Sequence, residues 1–291
     1  MTATTTPNVP PAALPPAALP PAAGRAGLRG AIASEFTKIR SVRSTYWALA
    51  ALLIVSVGIG AAISAASAAD LRANPGDKAG FDATQVSLIA FFELGQLIIA
   101  VIGALVITSE YSTGMIRASL TALPRRSAVY AAKAIVLTSV TLAVSLVTSF
   151  IAFFLGQAIL SGSGVGASLL GSTEGVSPGT VLAAIIGTAL FVTVVAVIAF
   201  GAGAIIRHTA GTITTVIGAM FVVPIIVQIL PHTWRWDLMR FMPDAAGRVI
   251  SVTVGRDNPH LWSAWPQFLV TTAYAVVLLG IGGYLFRKRD A

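Results

Sequence analysis

The chain has 291 residues, 56% of them hydrophobic and 10% charged, with a formal net charge of +8 and a mean hydropathy of +0.84. Soluble globular chains carry about 25% charged residues, so this composition excludes an ordinary soluble domain and indicates a membrane protein. Cysteine is absent, which excludes disulfides, thiolate metal sites and a cysteine nucleophile. The basic residues are strung between apolar segments, which points to membrane topology rather than to nucleic acid.

Residues 1–30 contain PPAAL, PPAAL and PPAAG in succession from Pro10 to Gly24. Proline at this density prevents helix, so a disordered, solvated cytoplasmic tail is expected, followed by a transmembrane domain over 31–291. No charged start followed by an unbroken apolar stretch marks a signal peptide. After the tail, Ile32, Phe36 and Ile39 fall at i, i+4, i+7 beside Lys38, Arg40 and Arg43. This spacing predicts a short interfacial helix anchored by Tyr46 and Trp47; a plain basic flank to the first span is the blander reading.

A membrane-spanning helix needs roughly 20 mostly apolar residues. Six segments meet this, approximately Tyr46 to Ala69, Ser87 to Thr108, Val129 to Leu160, Thr180 to Ile206, Gly211 to Leu230 and Pro266 to Phe286. The third would reach about 48 Å as one helix, so its N-terminal part is expected to project into water, with Lys133 snorkelling to the interface. On the first span, Ser56, Gly60, Ser64 and Ala68 form a small-residue stripe that suits close packing against another helix or a second protomer. With the N-terminus inside, only Arg72, Lys78, Arg235, Arg240, Arg248 and Arg256 of the 19 Lys and Arg lie outside, leaving 13 inside. That asymmetry places both termini in the cytoplasm.

In the second span Glu93 is an acid within an apolar helix, with Gln96 one turn on and able to share a hydrogen bond with it. An intramembrane carboxylate costs roughly 2.5–3.5 kcal/mol near the midplane, so both residues are candidates for a translocation path. Between the second and third spans runs ITSEYSTGMIRASLTALPRRSAVYAAK, from Ile107 to Lys133. Met115, Ile116, Leu120 and Leu123 fall at helical spacing on one side, and Arg117, Ser119 and Thr121 on others. Gly114 loosens the entry and Pro124 suits the first turn of the next helix, with Arg125 and Arg126 at the exit. A short helix across the cytoplasmic face is expected, either held to anionic headgroups or docked on a protein. Between the fourth and fifth spans, Arg207 and His208 begin a tight cytoplasmic turn, RHTAG. On the outer side, Trp234, Leu238 and Phe241 fall at helical spacing beside Arg235 and Arg240. This amphipathic stretch reads as a cap on the path or as part of an aromatic belt.

Enzymatic chemistry finds no support. A P-loop needs a Gly-Lys pair that the chain lacks, His208, His232 and His260 lie on separate loops without a zinc-binding H-E-x-x-H, and no nucleophile elbow occurs.

Glu110, Gly114, Leu120, Pro124, Arg125 and Arg126 together give E-x-x-x-G, a leucine and Pro-Arg-Arg, an order that resembles the first cytoplasmic loop of ABC-2-type exporter permeases. SEFTKIRSVRSTYW and RHTAG are also similar to that family, and the resemblance runs roughly from Ala31 to Arg289. Met115 stands where many members have threonine. The resemblance implies an all-α polytopic membrane protein of six transmembrane helices, with an N-terminal interfacial helix, a cytoplasmic coupling helix and an outer re-entrant amphipathic segment. It further implies that Glu110, Gly114, Met115, Ile116, Arg117, Leu120, Pro124, Arg125 and Arg126 dock into a separately encoded ATPase, with Arg207 and His208 on a second cytoplasmic loop. The partners implied are that ATPase subunit, which would carry ATP and magnesium, a second copy or a related permease, and membrane lipid, in a bacterial cytoplasmic membrane. The chain itself would bind no cofactor. An ion-coupled carrier using Glu93 and a non-transporting membrane scaffold are the alternatives.

Overall fold

A computed structural model describes residues 27–78, 80–116, 125–165, 176–254, 260 and 262–289. Most of the Pro/Ala-rich tail, 1–26, lies outside them. Helix α1 spans Leu28–Ser41. Six long apolar helices follow: α2 (Arg43–Ala73), α3 (Ala83–Ser112), α4 (Arg126–Ser161), α5 (Pro178–Ile206), α6 (Thr209–Ile229) and, after two short helices, α9 (Ala264–Lys288). The short ones are α7 (His232–Met239) and α8 (Ala245–Ser251). Each long helix is long and apolar enough to cross a membrane. Helix α1, the end of α3, the start of α4, the Arg207–His208 turn and the end of α9 share one end of the bundle, here the basic end; α7 and α8 share the far end.

Helix α5 is the axis of the bundle, apolar on every side and packed against α3, α4 and α9. Its crossing with α3 is backbone on backbone: a Cβ added at Gly103 would overlap the Ala196 carbonyl, so only glycine permits this approach. The small stripe on α2 also packs within the protomer. Ser56, Gly60, Ser64 and Ala68 are all buried, with Gly60 seated over Ser87 and Ala90 of α3. Polar contacts reinforce the bundle: Ser149 of α4 donates to the Ile185 carbonyl at 2.7 Å, and Gln157 donates to the Ala83 carbonyl at 3.0 Å.

Two spans depart from regular helix. Helix α3 widens into a π turn at Phe91–Gly95, directly at Glu93. Helix α6 does the same at Gly218–Val222; its first stretch packs on α3 and α5, whereas its last, Val223–Ile229, packs with α7. Arg207 ends α5 in the left-handed region at φ 60°, and His208 starts α6 by accepting the Gly211 N–H on Nδ1 at 3.1 Å. His208→Ala removes this cap and should destabilise the start of α6 by about 0.5–1 kcal/mol. Hydrogen exchange should quicken at 209–213 and stay unchanged in α3; equal exchange in variant and parent would disprove the capping role.

Candidate functional site

At the basic end, four charged side chains from three helices meet in one cluster, buried except at Lys38. Lys133 of α4 places its ammonium 2.5 Å from Glu110 at the end of α3 and 2.9 Å from Glu35 of α1. Lys38 of α1 lies 2.8 Å from Glu35 and 3.0 Å from the same Glu110 oxygen. Two cations therefore balance two anions. The Lys133 side chain is 1% exposed, so the expected snorkelling is overturned. The reason is that α1 folds over the start of α4 and brings Glu35 to it, which removes any need to reach solvent. Burial works against the charge on Lys38, but the Glu35 and Glu110 carboxylates outweigh it and hold its ammonium above the ordinary lysine range. Stability gained this way is complete below the ordinary lysine pKa and is lost only as pH rises through the higher folded value.

The buried face of α1 accordingly runs through Ala31 and Glu35, while Phe36 of the expected apolar face is exposed, as are Tyr46 and Trp47. The family resemblance marked Glu110 as a loop contact, and the length of the third span marked Lys133 as an interfacial residue. The signal that joins them was available: an acid ending one span and a lysine one to two turns into the next occupy the same end of adjacent helices.

The start of the α3–α4 connection is described and its centre is not. Gly114 turns the chain out of α3 at φ 71°. Met115 is exposed and Ile116 is buried in the core, so these neighbours do not share the side expected for them. Arg117, Leu120 and Pro124 lie outside the described residues. Arg125 is exposed at the N-cap of α4. Arg126 instead reaches across to α9 and donates to the Arg289 carbonyl at 2.9 Å, capping that helix. The Arg207 guanidinium lies over the Tyr111 ring, 4.9 Å from its centroid, tying the shorter turn to the same corner.

At the far end, Asp82 caps α3 by accepting the Gln85 N–H at 2.9 Å. It also receives the Thr253 N–H, the Thr253 hydroxyl at 2.7 Å and the Val254 N–H at 2.8 Å, which clamps the chain leaving α8. Glu93 pairs with Arg248 of α8 at 3.2 Å, and Arg248 donates to Asp244 at 3.0 Å while lying over the Phe92 ring. Gln96 shares no bond with Glu93: it is buried, and neither of its amide atoms has a partner among the described residues. Burial pushes the Asp244 carboxyl up, against the pull of Arg248. The stretch singled out by its spacing differs from the one that packs inward. Trp234, Leu238 and Phe241 are exposed, whereas Ala245, Ala246, Gly247 and Ile250 are buried, with Gly247 against Phe92 and Phe191 and Ile250 against Gly187.

His232 and His260, far apart in sequence, come within 5.5 Å ring to ring, and the Trp236 indole donates to His232 at 3.0 Å. Among the described residues no group of three or more His, Asp or Glu is placed to hold a metal.

The family model for "ABC-2 family transporter protein" matches residues 31–221, about two thirds of the chain. The chain belongs to the ABC-2 transporter family. No curated protein matches it. The match runs from within α1 through most of α6, so it contains the whole four-charge cluster and Glu93 of this ABC-2 permease. Helix α8 and its partner residues Asp244 and Arg248 lie beyond it. Members of the family are non-catalytic membrane subunits of ABC transporters, so the permease is a multi-pass membrane protein that implies an ABC ATPase subunit as its partner.

Proposed function

We propose that this permease is the membrane subunit of an ATP-driven exporter in a bacterial cytoplasmic membrane, with both termini cytoplasmic. Two copies, or one copy and a related permease, enclose the translocation path. A separate ATPase subunit binds ATP and magnesium and docks on the connection from Gly114 to Arg126. The observation that carries this reading is the four-charge cluster, within a family whose members work with an ATPase. Glu110 stands two residues from the end of α3, next to the connection, and is held to α4 and α1 together. A push on the connection therefore moves three helices as one body instead of bending a single helix end. Helix α1 lies in this reading at the membrane interface, with Phe36, Tyr46 and Trp47 at headgroup level.

The alternative carrier driven by an ion at Glu93 gains nothing from a family coupled to ATP. Helix α8 is the re-entrant element: Ile250 meets Gly187, nine residues into α5, or about 14 Å along its axis.

Co-purification with an ATPase and ATP-dependent efflux from reconstituted vesicles test the proposal. Arg125→Glu, at an exposed position, should cut ATP-dependent transport at least about fivefold while thermal stability stays unchanged. Failure to retain any ATPase, or transport that persists without ATP, would overturn the reading. Arg126→Gln reports on structure instead: loss of its charged donor should free the last turn of α9 by about 1 kcal/mol after discounting for exposure. The measurement is hydrogen exchange over 284–289, which should quicken; no change there would remove Arg126 from its capping role.

A further inference from the structure

The cluster around Glu93 sets two carboxylates against one guanidinium. Arg248 is committed to both, its Nη1 to Glu93 and its Nε to Asp244, with its charge also over Phe92. Asp244 is 1% exposed, and its Oδ1 is buried with no hydrogen-bond partner among the described residues. Glu93 is paired with Arg248 through one oxygen, and its side chain is 31% exposed, that of Arg248 44%. Among the described residues the set therefore holds one more anionic group than cationic ones.

The depth of this site makes the imbalance informative. Glu93 stands ten residues after Ala83, and Ile250 of α8 meets α5 nine residues after Pro178, so two helices place the cluster about 14–15 Å along spans near 45 Å long. Such spans exceed about 30 Å of hydrocarbon by roughly 7 Å at each end, which puts the pair about 8 Å below the boundary. Lipid does not solvate ionised groups at that depth, so in the exporter reading the exposed side of Glu93 and Arg248 is assigned to the aqueous path.

We propose that Glu93, with Asp244 beside it, is a subsite on the translocation path for the positively charged group of a lipophilic cation. The cation takes Glu93 and leaves Arg248 to Asp244, so two anions then face two cations. An anion is disfavoured here, because it would meet two carboxylates that already hold the guanidinium through Nη1 and Nε. This rests on the exporter reading, which supplies the path.

The test is equilibrium dialysis of radiolabelled tetraphenylphosphonium against the full-length permease with its ATPase in nanodiscs. Tetraphenylborate, of nearly the same size and opposite charge, is the control. Saturable binding of the phosphonium and none of the borate is expected. Glu93→Gln should weaken the phosphonium at least tenfold, and Glu93→Asp, which keeps the charge, should stay within a few-fold of the parent. Arg248→Gln, by removing the internal competitor, should tighten binding several-fold. Opposite effects from the two halves of one ion pair exclude general unfolding as their cause. Equal binding of both probes, an unchanged Glu93→Gln, a Glu93→Asp as weak as Glu93→Gln, or equal weakening by Glu93→Gln and Arg248→Gln would overturn the subsite. Retained ATPase in that same preparation would leave the exporter reading standing, and loss of ATPase from the parent protein would remove that reading instead.

Discussion

Lys133→Met is expected to lower the stability of the purified permease by about 3–5 kcal/mol, the range found when one partner of a buried ion pair is removed. Lys133 is enclosed, and without it Glu35 and Glu110 share only Lys38, itself partly exposed. The double variant Glu110→Gln/Lys133→Met should recover most of the loss. It removes one charge of each sign and leaves Glu35 and Lys38 paired at 2.8 Å, and neutral replacement of a buried pair is often close to isoenergetic. Heating the detergent-solubilised protein and following its monodisperse fraction measures both. A double variant no more stable than Lys133→Met would mean that packing of the lysine stem, rather than charge balance, holds this corner together. The double variant also separates stability from coupling. If the cluster transmits the stroke, ATP-dependent transport stays impaired in a protein that is again stable; full transport would show that the cluster is structural only.

Asp82→Ala should cost on the order of 4 kcal/mol. The change strands the Thr253 and Val254 N–H groups, both held by the carboxylate, and removes the cap of α3. Each buried donor left without an acceptor costs about 1–3 kcal/mol, and a lost cap about 1 kcal/mol more. The damage should be local. Segment 244–254 should become open to limited proteolysis and fast hydrogen exchange while Glu110 and Lys133 at the other end keep their protection. Asp82→Asn, which retains an acceptor for the cap, should fall between the two. Protection at 244–254 equal to that of the parent would show that Gly187, Phe92 and Phe191 seat α8 without the clamp.

Much of this architecture was legible in the sequence because it depends on local composition. All six spans lie where hydropathy placed them, with ends shifted by a few residues, as expected of helix termini. The turn at Arg207 and His208 was legible too, although the capping by the imidazole was not. What escaped was the rotation of each helix. Helix α5 is apolar on every face, so no periodicity tells which side meets α3. The outer amphipathic pattern pointed to Trp234, Leu238 and Phe241, but small residues, Ala245 to Gly247, are what a tight space between α3 and α5 accepts.

The sequence alone therefore determined six helices long and apolar enough to cross a membrane and, through Glu110 to Arg126 and its flanks, to which family the chain belongs. Hydropathy and charge bias act over about 20 residues and need no knowledge of neighbours. The tertiary structure alone decided which charge meets which. Glu35 and Lys133 are 98 positions apart, and Glu93 finds its counter-ion on a short helix beyond the fifth span. A charge removed from water is stabilised by whatever opposite charge the packing delivers within a few ångström. That delivery depends on crossings such as Gly103 on Ala196, which a linear reading of composition does not contain.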